Sequence, residues 1–158
     1  MPDDETTQRR VEADEALAQR NTIRGRNRLI VGGEAAGSDL LADDEIRLIQ
    51  RALAEWGGPA RCSDHLAVGI GFTDRRDLLD QCNRLRNALA CDVPLTQTDW
   101  ARVLLATEIV FVSDLMGSGV EWSTTTGLSD ESTIRALRKI QRKLGRTIGP
   151  YYGKTPGE

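Results

Sequence analysis

Cys62 and His65 stand three residues apart, a spacing that puts two side chains on one helix face, as a thiol–imidazole nucleophile pair would require. His65 is the only histidine in the chain, and one short helix supplies neither an oxyanion hole nor a group to orient the imidazole. The pair therefore reads as a surface histidine beside a structural cysteine. Cys62, Cys82 and Cys91 are three, an odd number, and lack the paired spacing of a metal site. No catalytic residue, metal or other cofactor is expected, and unpaired thiols fit a reducing cytoplasm. Gly117-Ser118-Gly119-Val120-Glu121-Trp122 begins as a phosphate loop begins. It lacks the later glycine and follows a helical pattern where that fingerprint needs a strand. Gly117 as a helix C-cap accounts for it.

Charged groups offer three further candidates. Glu108 lies among Leu104, Leu105, Ile109 and Phe111, where a carboxylate must be paired or must face a cleft. The expected partner is an arginine from another helix, and the rival is a cleft used for binding or acid–base work. Arg135, Arg138, Lys139, Arg142, Lys143 and Arg146 recur at helical spacing and gather on one face, opposite the stripe Ile134, Leu137, Ile140 and Leu144. Asp74, Asp77 and Asp80 form the acidic counterpart on an earlier helix.

The element on which these depend is a long apolar stretch from Thr98 to Met116, in which Trp100, Val103, Leu104, Ile109, Val110, Phe111, Val112, Leu115 and Met116 surround most of a helical wheel. Arg102, Glu108 and Asp114 interrupt it before the roughly 18 apolar residues of a membrane span. It reads as the central helix of a bundle, with Leu104 and Phe111 in the core. The other helices follow from punctuation. Asp43 to Trp56 carries the stripe Ile46, Ile49, Leu53 and Trp56 and ends at Gly57-Gly58. Pro59 is expected to open a short second helix to about Val68. Thr73 is expected to cap a third, Asp74 to Ala90, with Leu78, Cys82, Leu85 and Leu89 on one face. Pro94 breaks the chain, and Thr96 with Asp99 resembles a capping box before the central helix. Trp122 is expected to fold back onto the bundle. Ser129 should cap the last helix and Gly145 should end it.

The fold class is thus all-α, a compact bundle of about five helices around a central apolar helix. Residues 1–38 are expected to be a flexible leader, with too little apolar content to repay chain entropy, apart from Leu29-Ile30-Val31 behind Arg24, Arg26 and Arg28. Residues 39–146 form the helical domain and residues 147–158 an irregular tail. Residues 39–128 hold 14 acidic and 8 basic side chains, while residues 129–158 hold 3 and 7. An acidic body with a basic end matters more than the net charge of −3. Only three of the 21 bases are lysines, which fits a GC-rich bacterial coding genome.

Residues 47–89 also resemble a helix-turn-helix core. A helix leads to Ser63-Asp64-His65-Leu66-Ala67-Val68-Gly69-Ile70-Gly71-Phe72 and then to a capped third helix, with Ala67 and Gly71 four apart at the crossing. The resemblance implies a nucleic-acid regulator that reads bases with Arg75 and Arg76, although the adjacent aspartates would repel phosphates. The leading expectation is a non-enzymatic interaction module, of the inhibitor or immunity type, whose acidic body covers a basic protein. The rival is the nucleic-acid regulator, using the trihelical core and the basic face of the last helix. Neither reading involves a membrane.

Overall fold

The computed structural model describes residues 33–148, so Leu29-Ile30-Val31, most of the leader and most of the tail lie outside the described residues. The order is β1 (Glu34–Ala35), α1 (Gly37–Leu40), α2 (Asp43–Glu55), α3 (Asp64–Gly69), α4 (Arg75–Ala90), β2 (Leu95–Thr96), α5 (Gln97–Val112), a 3-10 turn (Gly119–Glu121), α6 (Trp122–Thr126) and α7 (Asp130–Ile148). The fold is all-α: four long helices, α2, α4, α5 and α7, form the bundle, and three short ones complete it. α5 is the central helix, in contact with α2, α7 and α4, and it buries Trp100, Ala101, Val103, Ala106 and Val110.

The apolar residues of the central stretch divide more sharply than expected. Leu104 and Phe111 are half-buried. The helix stops at Val112, and Leu115 lies almost wholly in solvent. Gly117 is not a left-handed C-cap. A Cβ there would lie 2.5 Å from the Ile109 carbonyl oxygen and 2.6 Å from that of Val110, so glycine is required by the close return of the chain over the helix end.

Local capping explains most boundaries, including those that moved. Thr96 Oγ1 accepts from Asp99 N at 3.1 Å, as the capping-box spacing predicts. Ser129 Oγ accepts from Ser132 N in the same way. At α4, Asp74 rather than Thr73 is the cap: its carboxylate accepts from Asp77 N, while Asp77 reaches back to Thr73 N. α3 starts at Ser63, whose hydroxyl accepts from Leu66 N, so Pro59 does not open it. The chain from Pro59 instead follows other carbonyls, Ala60 N donating to Glu55 O and Arg61 N to Met116 O. Gly145 does not end α7, which runs on to Ile148 with Thr147 and Ile148 buried.

At the other end, Glu34 and Ala35 pair antiparallel with Thr96 and Leu95. The expected boundary at residue 38 falls inside this packed corner. Asp92 anchors it from a left-handed conformation (φ 52°) just past α4, accepting from Ser38 N at 2.9 Å and from Ser38 Oγ.

Three tryptophans fasten segments to the bundle, each with its indole N–H paired, as burial of an indole demands. Trp56 donates to Ala106 O and ties α2 to α5; Trp100 donates to Ala35 O and holds β1. Trp122 folds back as expected, donating to Thr133 Oγ1 at 2.9 Å and meeting Phe111 edge-on with centroids 5.4 Å apart. Two ion pairs join helices: Lys143 with the buried Glu45 (α7 to α2), and Arg84 with Asp99 (α4 to α5), each at 2.5 Å.

Two stability measurements follow. Ile140→Ala, which empties a fully buried site, should cost about 2–5 kcal/mol in urea unfolding. Gly145→Ala should raise stability by about 0.5–1 kcal/mol, since a methyl group at this exposed helical position meets no neighbour within 4 Å. A further measurement concerns acid. The hydrogen bonds from Ser38 to Asp92, and chiefly that from Thr73 N to Asp77, hold both carboxyls below the usual carboxylate range. A depressed folded-state pKa contributes stability that is full above the unfolded value and lost as pH falls through the folded one. Stability should therefore decline below about pH 4, and Asp77→Asn with Asp92→Asn should flatten that decline.

Candidate functional site

The basic face of α7 is the expected surface that the structure most nearly assembles, and it is smaller than the sequence suggests. Lys143 turns aside to Glu45, and Arg135 donates to Glu131 at 2.6 Å, one turn earlier in the same helix. Arg138, Lys139, Arg142 and Arg146 remain exposed, with no acidic partner among the described residues. These four cations span about 12 Å of helix at 1.5 Å per residue. They lie opposite the buried residues Leu137, Ile140 and Leu144, which hold the helix against α5 and α2.

Glu108 is joined to this ridge. Its Oε1 accepts from Gln141 Nε2 at 2.7 Å, and Gln141 Oε1 accepts from Arg138 at 2.8 Å. The arginine expected as its partner is thus present one residue removed, with an amide as the intermediary. Glu108 is half-buried beside α7 rather than set in either of the two grooves described below.

The acidic candidates disperse. Asp74 and Asp77 cap α4, and Asp80, exposed, stands 4.0 Å from Arg76. The helix-turn-helix resemblance also loosens. α3 has only six residues, five more separate it from α4, and Gly71 turns the chain at φ 94°. Ala67 is fully buried, as close crossing requires, and Arg102 clasps the turn by donating to Gly71 O while its guanidinium lies over the Phe72 ring. Arg75 and Arg76 are exposed at the start of α4. His65 is exposed on α3 and Cys62 half-buried. No group of three His, Cys, Asp or Glu side chains among the described residues could hold a metal ion. No helix among them is long and apolar enough to cross a membrane.

Three features lie outside the sequence expectations. The first is Glu55, buried at the end of α2, whose Oε2 accepts from Ser118 Oγ at 2.7 Å and Thr125 Oγ1 at 2.6 Å. Periodicity gave no signal for it: Glu55 falls about 100° round the helix from Trp56, at the edge of the stripe Ile46, Ile49, Leu53 and Trp56. The second is a pair of open grooves flanking Arg47. One, of about 380 Å³, runs between α2 and the end of α4. The larger, of about 560 Å³, lies between α2 and the start of α7, with Leu48, Leu128 and Ala136 as its floor. The third is an exposed apolar knuckle formed by Val112, Leu115 and Val120, beside the end of α5. Matching of the chain to protein-family models, to curated proteins and to solved structures finds no similar family, protein or structure.

The cysteines differ enough to be separated chemically. Burial pushes the Cys82 thiol up to about 12, and burial also raises Cys62, against the opposing pull of Arg75. Cys91 is exposed. A thiol-specific disulfide reagent at neutral pH should modify Cys91 first, and Cys82 only after denaturant is added. Mass spectrometry of the labelled peptides reads the order, and early labelling of Cys82 would contradict its burial.

Proposed function

We propose that this protein is a non-enzymatic interaction module that binds nucleic-acid phosphates along α7. The observation that carries this reading is the ridge of Arg138, Lys139, Arg142 and Arg146, four exposed cations on one rigid helix with no carboxylate among the described residues to neutralise them. Three are arginines, whose planar guanidinium matches two phosphate oxygens at once. Carboxylates that point inward are spent on structure: Glu45 on Lys143, Asp99 on Arg84, Glu55 on two hydroxyls. That distribution favours binding over catalysis. Three cysteines without disulfides suit a reducing compartment, so the reading places the protein in a bacterial cytoplasm. The inhibitor-like alternative, an acidic face covering a basic protein, draws less support because Asp74 and Asp77 are caps whose charge reversal would unsettle α4 itself.

A salt titration of duplex and single-stranded oligonucleotides tests the reading. Four phosphate contacts should give a log–log slope of affinity against salt of about −3 to −4. Lys139→Ala with Arg142→Ala and Arg146→Ala should remove most of the binding and leave the thermal midpoint close to that of the wild type, because the buried stripe of α7 and the Arg138–Gln141–Glu108 chain are untouched. Absence of binding by the wild type at low salt would overturn the proposal.

A further inference from the structure

At the end of α5 and in the turn beyond it, Val112, Leu115 and Val120 stand out in water while Met116 between them is buried, and the chain is fixed in that arrangement. Leu115 is 96% exposed, Val120 78% and Val112 69%. Single exposed apolar residues are ordinary, but here three fall within nine positions of the chain. The backbone carrying them is not loose. Asp114 Oδ1 accepts from Val120 N at 2.7 Å, Ser118 N donates to Val110 O, and Arg61 N donates to Met116 O. Ser113 Oγ accepts from Leu115 N and Met116 N, and Ser118 Oγ reaches the buried Glu55. Gly117 and Gly119 sit where a Cβ would collide with Val110 O and with the Asp114 side chain. A rigid, preorganised apolar projection loses little entropy on being covered.

The larger groove has the complementary character. Its floor is Leu48, Leu128 and Ala136, and its rim carries Arg47 and Arg51 against a single carboxylate, Asp44. The knuckle carries the opposite sign, since Leu115 and Val120 are flanked by Asp114 and Glu121. The two features are also neighbours on one molecule. Only α6 separates Glu121 from Thr126 and Leu128 at the groove, and Arg51 donates to Thr125 O at its edge. Adjacent, mutually complementary patches allow a two-fold arrangement in which each copy gives its knuckle and receives the other's.

We propose that the occupant of this groove is a second copy of the chain, forming a symmetric dimer in which Leu115 of each copy seats on the Leu48, Leu128 and Ala136 floor of the other, with Glu121 beside Arg47. This contact is separate from the ridge on α7 and does not depend on nucleic-acid binding.

Light scattering after gel filtration, across a series from micromolar to near-millimolar protein, tests it on the full chain. The wild type should double in mass with concentration. Leu115→Asp should stay monomeric with an unchanged melting temperature, because that side chain makes little contact with its own fold. Arg47→Glu and Glu121→Arg should each weaken the dimer, and the two together in one chain should restore it. A wild type that remains monomeric at the highest concentration overturns the proposal. So does a Leu115→Asp variant that dimerises as the wild type does, or a charge-exchanged double variant no tighter than either single one. Loss of oligonucleotide binding in the α7 variants would leave this dimer intact, which keeps the two proposals distinguishable.

Discussion

The carboxyl group of Glu55 is the point on which the turn after α5 and the neighbouring α6 depend. A buried carboxyl must find partners or cost several kcal/mol, and here they come from far along the chain. Ser118 approaches from the loop after α5, and Thr125 from α6. Arg51, one turn earlier in α2, adds a bond to Thr125 O. The backbone carbonyl of Glu55 accepts from Gly58 N and Ala60 N and so also directs the chain that leaves α2. One helix end therefore sets the position of the apolar knuckle, of α6 and of the groove wall that follows it.

The same economy governs the rest of the interior. α5 is too apolar to be left in water on most of its sides, and both it and the segments that cover it carry polar handles that must be satisfied. The indoles of Trp56 and Trp100 use backbone carbonyls, and that of Trp122 uses the Thr133 hydroxyl. Glu45 and Asp99 take cations from neighbouring helices. Thr107 Oγ1 is the exception among the described residues, a buried hydroxyl without a partner, and nothing in the structure explains it.

Residues that look alike in sequence acquire different work through these pairings. Lys143 and Arg142 are adjacent bases, yet one joins two helices and the other is exposed on the ridge. Asp77 and Asp80 lie one step apart on the same helix, yet one secures the helix start and the other stands at the surface near Arg76. A count of charge on a helix face overstates the surface left for a partner, because the neighbouring helices draw on the same side chains.

What the sequence determined by itself was everything set within a few residues. The 3.6-residue period marked α2, α4 and α7, a long apolar run marked α5, and Thr96 and Ser129 announced their own caps, because a helix start is settled by hydrogen bonds three positions away. Even where the cap slipped, from Thr73 to Asp74, the two candidates were adjacent. The tertiary structure decided what depends on separation. Glu55 and Ser118 are 63 residues apart, Glu45 and Lys143 98 apart, Trp100 and Ala35 65 apart. Periodicity assigns a side chain to a face of its own helix, but it carries no record of which other element arrives there. For that reason Leu115, apolar and three residues past the end of α5, stands in solvent, while Glu55, charged and at a helix end, lies inside.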